Sequence, residues 1–508
     1  MPHTPLTRMT TRTTTLAAAA AALCLAVPTA AVAHEGAGDV ATNERAFQVA
    51  ASGEGQRMSH VANLQYDRTG EAQNGSDIEF VRIAGRDYAL AGTLDKGMQI
   101  IDISRPTQPK RIAVFDCRIS QGDIQVWRKK NRVLASYTAD GTVGTDGARS
   151  RCGRDLKLDA ADAGTVIVDI TQPAQPQSVS FLPVPRGSHN MTIHPSGNYL
   201  YNSNSDLISS TRPAVTIYDI RRPSLPKKVQ DFRIPFVPTS LGSESHDITF
   251  NTAGTRAFVA ALSQTLILDT SNPARPRQIG QIIDPAINVV HQSDPITVER
   301  PDGTRRTLLV ITDERAGAAA SVECPGGGLH VYDITGSLVR SPVKIGAWFI
   351  PAVQPQDGAT CTSHVLRMYP RQKMMTIAWY SQGVRVLDIS GLATAQGTPA
   401  TIAVGQGIGM REVGHYTFPD SDTWSFKTNK INSDGSFYGY GNDLVRGFDV
   451  YRFRGLPGRT VPPLVPRELA KVDASSSSHL LAPAAAVVPA FALALLLHRR
   501  ARRRMTAR

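Results

Sequence analysis

Four histidines in this chain stand at the same place in a repeating pattern. They occur in Ser188-His189-Asn190, Ser245-His246-Asp247, Val290-His291-Gln292 and Ser363-His364-Val365, each opening a short run of strand-forming residues. The 508 residues hold only 12 histidines, so composition does not produce this spacing. A second repeated position, after the next run, carries Asp95, Asp140, Asp206, Asp313 with Glu314, and Asp443; in one copy Trp379 and Tyr380 stand there instead. Imidazoles and carboxylates together are ligand chemistry for a divalent transition metal such as copper, zinc or iron. The same groups also serve as hydrogen-bonding ties between neighbouring loops, because buried polar groups must find partners. Both roles are open on sequence alone. The candidate ligand contacts are His189, His246, His291, His364, Asp95, Asp313, Glu314 and Trp379, with the four histidines as candidate metal ligands. No Ser-His-Asp order, phosphate-binding glycine loop or CxxC pair accompanies them, so no catalytic residue is assigned.

The elements that must position these residues recur seven times. Gly97-Met-Gln-Ile-Ile-Asp102, Gly164-Thr-Val-Ile-Val-Asp169, Ala214-Val-Thr-Ile-Tyr-Asp219 and Gln264-Thr-Leu-Ile-Leu-Asp269 come first. Gly328-Leu-His-Val-Tyr-Asp333, Gly383-Val-Arg-Val-Leu-Asp388 and the weaker Leu444-Val-Arg-Gly-Phe-Asp449 follow. Each run is short, β-branched and bounded by Gly or Pro, which reads as a strand. Around each lie three further strand-like segments. Four short antiparallel strands, repeated radially, make a propeller blade. Each blade buries its apolar faces only against a copy of itself. The aspartate ending each run stands before a turn and is expected to accept backbone hydrogen bonds there, not to do chemistry. The fold class is therefore all-β, a seven-bladed β-propeller over 58–455.

In such a ring the first strand of each blade lines the channel. Blade-joining loops and the loops between second and third strands emerge on one face. The four histidines, at the starts of first strands in blades three to six, are expected to converge as an arc at one mouth. The last blade runs out of chain after its third strand. Ser59–Tyr66, a lone strand-like segment upstream, is expected to complete it.

The runs Asp102-Ile-Ser-Arg-Pro, Asp169-Ile-Thr-Gln-Pro and Leu266-Ile-Leu-Asp269-Thr-Ser-Asn-Pro resemble the LVIVD-repeat family of bacterial and archaeal surface propellers, over roughly 58–455. The family fixes a scaffold, and one fold hosts many functions. The histidine-bearing strand starts are also similar to those of the selenium-binding and methanethiol oxidase propellers. That resemblance implies channel histidines and a copper centre.

The ends suggest export and anchoring. Residues 1–33 read as a signal peptide, with Arg8 and Arg12, an apolar run, and Ala31-Val32-Ala33 as the cleavage site. Residues 480–498 read as a transmembrane segment followed by a basic cytoplasmic tail, 499–508. Residues 34–57 and 456–479 read as a flexible N-terminal segment and a linker. Two arginines before residue 34 and six from Arg499 onward account for eight of the net +12, leaving about +4 for the exported part. That balance, without a basic helix or zinc-finger spacing, gives no case for nucleic-acid binding. Four cysteines remain outside the signal, and local pairing gives Cys117–Cys152 and Cys324–Cys361. The leading functional reading is a membrane-anchored extracytoplasmic propeller. It binds a ligand or a cell-envelope partner through its histidine and carboxylate face. A metal-dependent enzyme and a structural envelope protein are the alternatives.

Overall fold

The computed structural model describes residues 50, 52–67, 72–185, 187–204, 213–238, 242–315, 322–351, 360–466 and 468–470. Seven four-stranded antiparallel blades follow one another along the chain. Their first strands are Gly75–Ile83, Gln121–Lys129, Ser188–Ile193, Asp247–Phe250, Val290–Glu299, Leu366–Tyr369 and Thr423–Lys427. The repeated runs form the third strands, Met98–Asp102 in blade one and Val384–Asp388 in blade six among them.

The repeat residues earn their places by local chemistry. Backbone N–H groups two residues on bond to one oxygen of Asp102, Asp169, Asp219, Asp269, Asp333 and Asp388, at 2.9–3.0 Å. These are Asx turns that end the strand. An arginine pairs with each: Arg86, Arg132, Arg221, Arg256, Arg306 and, on Asp388, both Arg411 and Arg459. Gly97 and Gly383 open their strands at φ +74° and +69°, and a Cβ there would lie 2.4 and 2.3 Å from the carbonyl oxygens of Phe115 and Tyr416. A larger residue would push the fourth strand away.

Between blades lie the apolar cores. Trp348 of blade five meets Trp379 of blade six edge to face at 6.2 Å, among Leu308, Val310, Leu366 and Ile377. Each fully buried aliphatic side chain of this kind contributes about 1.5–3 kcal/mol.

Closure follows the sequence argument with a shifted strand. Met58–Leu64 pairs antiparallel with Gly447–Phe453, so the ends of the ring share blade seven. Tyr66 lies beyond the strand, and its hydroxyl donates to Asn442. The ordered structure extends past both expected borders. Glu54–Gln56 pairs with Met410–Thr417, so the segment 34–57 is not uniformly irregular. The expected linker begins as packed chain: Leu464 bridges Ile431, and Arg459 reaches Asp388 at 2.8 Å. Glu468–Ala470 then pairs in parallel with Gly75–Ile83.

Both disulfides are present, with Cα separations of 5.0 Å for Cys117–Cys152 and 5.1 Å for Cys324–Cys361. The first fastens two short helices of the blade-two insertion, Gly144–Arg149 and Arg151–Leu156, to the connection from blade one. Two disulfides in one chain fit an exported protein. The expected signal peptide 1–33, transmembrane segment 480–498 and tail 499–508 lie outside the described residues. Among the described residues, no helix is long and apolar enough to cross a membrane.

Candidate metal centre

In blades three and five the first strand begins on an irregular pair that sets the histidine aside, whereas His246 and His364 stand just before regular first strands. The ladder skips His189, because Ser188 pairs with Asn204 and Asn190 with Ser203. It skips His291 in the same way, between Val290–Asp313 and Gln292–Thr312. Blade seven skips Trp424. A bulged residue leaves the ladder and can point where the regular pleat would not allow. The result is an arc: ring centroids are 4.1 Å apart for His189–His246, 4.3 Å for His246–His291 and 4.2 Å for His291–His364. Tyr380 and Trp424 extend it, 4.6 and 4.7 Å from His364.

Ties between blades fall mainly to hydroxyls. Ser203 meets Ser245 at 2.9 Å and Thr265 meets Ser293 at 2.8 Å. Ser363 donates to the Asp313 carbonyl at 2.9 Å, and Ser425 to the Ser76 carbonyl at 3.1 Å. The serines beside His246 and His364, and Ser293 two residues after His291, do the structural task, and the imidazoles face the channel.

Glu314 closes the arc. Its side chain is fully buried, and Oε2 lies 3.8 Å from both His246 Nε2 and His291 Nε2. His364 Nε2 is 3.5 Å from Oε1. Donor atoms of His246, His291 and Glu314 all lie within 4.8 Å of one another. Ligands about 2.0–2.1 Å from a tetrahedral ion stand about 3.4 Å apart, so a small inward movement completes the site.

Proton placement leaves a position here for a proton or a cation. His364 Nδ1 lies 2.6 Å from the Trp424 carbonyl. A carbonyl only accepts, so Nδ1 carries the proton and Nε2 turns a lone pair toward Glu314. His291 Nδ1 sits 3.3 Å from Thr312 Oγ1, with Nε2 again toward the carboxyl. Outer hydrogen bonds of this kind orient metal-binding imidazoles. The Tyr380 hydroxyl donates to Glu314 Oε1 at 2.6 Å, while Oε2 has no hydrogen-bond partner among the described residues. Burial pushes the Glu314 carboxyl up to about 8, opposed by the Tyr380 hydrogen bond and reinforced by Asp313. A lone pair facing a buried carboxyl oxygen is stable only with a proton or a cation between them.

Other expected residues serve differently. His189 stacks in the arc, but its Nδ1 lies 3.4 Å from Asp140 and its Nε2 3.3 Å from the Gln121 amide. Those contacts engage both nitrogens, and the imidazoles within 3.8 Å of the Glu314 carboxyl are His246, His291 and His364. Asp313 accepts from the backbone of Asn288 and Val289 at 3.0 Å and so caps a loop. Asp95 bonds to Asn74 at 2.9 Å and pairs with Lys96, half exposed and away from the arc. Trp379 belongs to the apolar core. Successive residues point to opposite sides, so Tyr380 takes the channel side that was expected of Trp379.

The arc also lies deeper than expected. All four histidines are at most 3% exposed. Below them runs a cavity of about 490 Å³ lined by Asp77, Asp123, Asp247, Asp294, Lys427 and others. Its far end reaches Pro195, Thr252 and Pro370, exposed turn residues after the first strands of blades three, four and six. The channel opens on the hairpin face, and the histidines form its inner end. Asp77, Asp123 and Asp247 sit in the aligned strand starts; their place beside the histidine position was visible in the sequence, but their meeting in one cavity was not.

The second to fourth strands of blade one, with Gly97 and the Asp102 turn, are the unit that the other blades repeat. The chain carries an LVIVD repeat. It is matched over residues 81–116. This LVIVD unit supplies the scaffold of blade one, and the histidine centre lies outside it. No curated protein matches the sequence. Among solved structures, the chain is similar to the periplasmic gluconolactonase of Pseudomonas aeruginosa, at 12% identity and TM-score 0.48, covering 75% of this chain and 99% of that one. It is also similar to a functionally unknown protein of Desulfotomaculum acetoxidans, at 16% identity and TM-score 0.39, covering 68% and 90%. A Lactobacillus plantarum protein aligns at 9% identity and TM-score 0.45, covering 73% and 93%.

Proposed function

We propose that this exported LVIVD-repeat propeller binds one divalent transition-metal ion at the inner end of its channel. His246, His291 and Glu314 are the ligands, and His364 completes the set. The observation that carries the reading is the convergence of these buried donors, with the His364 proton fixed on the side away from them. Imidazole nitrogen with one carboxylate suits zinc, copper or iron. Within the same reading, residues 480–498 hold the propeller at the membrane, and the ion sits outside the cytoplasm.

Elemental analysis of the purified protein tests this directly. Near-stoichiometric zinc, copper or iron is expected, and His246→Ala with His291→Ala should abolish it while the circular dichroism of the propeller is kept. Metal retained by that double variant, or none bound by the parent after incubation with each ion, refutes the reading.

A further inference from the structure

We propose that the channel is the entry route of the metal ion, which passes from the hairpin face along Asp77 and Asp123 to the histidines and Glu314. This inference rests on the metal reading above and adds a direction and a set of guiding residues to it.

The cavity is continuous from Pro195, Thr252 and Pro370 at the surface to all four histidines. Its walls carry the carboxylates Asp77, Glu79, Asp123, Asp247 and Asp294 against two cations, Lys427 and Arg367. Both cations are already answered. Lys427 Nζ lies 2.5 Å from Asp77 Oδ1 and 3.1 Å from Glu79, and Arg367 pairs with Glu79. Asp123, Asp247 and Asp294 have no ion-pair partner among the described residues.

Two polar atoms in the shaft are unmatched. Asp77 Oδ2 and Gln121 Oε1 have no hydrogen-bond partner among the described residues, although the two residues are only 5% and 4% exposed. Burial, with Asp77 and Asp247 nearby, holds the Asp123 carboxyl well above its ordinary range. That carboxyl therefore holds a proton, which an arriving cation can displace.

The acids guide a cation and do not cage it. Among the described residues, no group of three acids in the shaft brings its oxygens within 4.8 Å of one another, whereas His246, His291 and Glu314 do so. A cleft of one charge sign between low-dielectric walls focuses its field. It raises the local concentration and arrival rate of an ion by about 10–1,000-fold. Spaced carboxylates above a nitrogen-rich terminus are the arrangement for passage followed by capture.

The test is the rate of cobalt(II) uptake by metal-stripped protein, followed by absorbance, beside the final stoichiometry. Asp77→Asn with Asp123→Asn should slow uptake roughly ten-fold or more, with the final stoichiometry unchanged and less sensitivity to salt. A second variant avoids the buried acids: Thr252→Cys, at the exposed mouth, modified with a bulky maleimide, should slow uptake comparably against unmodified and reagent-treated parent controls. Stoichiometric uptake at the parental rate in both variants overturns the route and leaves the metal centre standing. No cobalt uptake by the parent overturns the centre and the route together.

Discussion

The Tyr380 hydroxyl donates to Glu314 Oε1 at 2.6 Å, and so holds the carboxyl that three histidines face. Tyr380 reaches it because the chain turns there at φ +40°, on the channel side of blade six. Tyr380→Phe removes that hydrogen bond and keeps the ring. Losing one partner of a buried carboxyl should cost about 1–3 kcal/mol. The outer support of the site goes with it, so metal affinity should fall about 10–100-fold. Denaturant titration and competition with a chelator read the two effects separately.

Arg446 should be the residue on which closure of the ring depends most. It is buried, 2.8 Å from both Asp449 and Asp420, 3.0 Å from the Ala50 carbonyl, and 3.4 Å above the Phe418 ring. Arg446→Ala leaves Asp449 buried with only His60 and the Asn63 amide beside it. The expected loss is about 3–5 kcal/mol, typical of a broken buried ion pair. Adding Asp449→Asn should recover part of it. A double variant no more stable than Arg446→Ala would contradict the charge argument.

Each disulfide closes a substantial loop, with sequence separations of 35 and 37. Removing either by paired Cys→Ser changes should destabilise the propeller by about 3–4 kcal/mol through the unfolded chain. Melting curves with and without reductant should show the same loss, and reduction should change the double variants by only the second bridge's share.

His330 should make the propeller acid-sensitive. Burial drives its imidazole down to about 4, helped by Lys344 and opposed by Asp284. An unfolded histidine titrates near about 6.5. Between those values the unfolded chain binds the extra proton, so stability is complete above about pH 6.5 and falls as the pH drops toward about 4. The single-site loss is about 3 kcal/mol at most. His330→Gln should flatten the stability difference between pH 7 and 4.5. An unchanged difference would mean that His330 is not the group responsible.

Much of the ring was legible because its repeat is local. The Gly-to-Asp run specifies a strand and its Asx turn within six residues, and seven copies follow one another. The histidine arc was legible for the same reason, since four copies share one position. What lay outside sequence reading is three-dimensional. Whether Trp379 or Tyr380 faces the channel depends on strand phase at a positive-φ residue, which neighbouring side chains do not reveal. Glu314 becomes central because a carboxyl from blade five leans over rings from blades four, five and six. His189 carries the same motif as the others, but Asp140 and Gln121 of blade two take up its nitrogens. The open end of the channel is set by packing above the arc, which no single strand encodes.

The seam in blade seven has a consequence for the order of folding. His60 and Asp449, hydrogen-bonded across it, are 389 positions apart. Closing so long a loop is entropically slow, and contacts of high sequence separation come late. Blades one to six can stack as soon as each is complete, but Met58–Leu64 has no partner until Gly447–Phe453 has emerged. For most of its synthesis and export the chain therefore carries a bare strand edge, the kind that pairs with strangers. The step that finishes the ring is also the step that ends its exposure to aggregation.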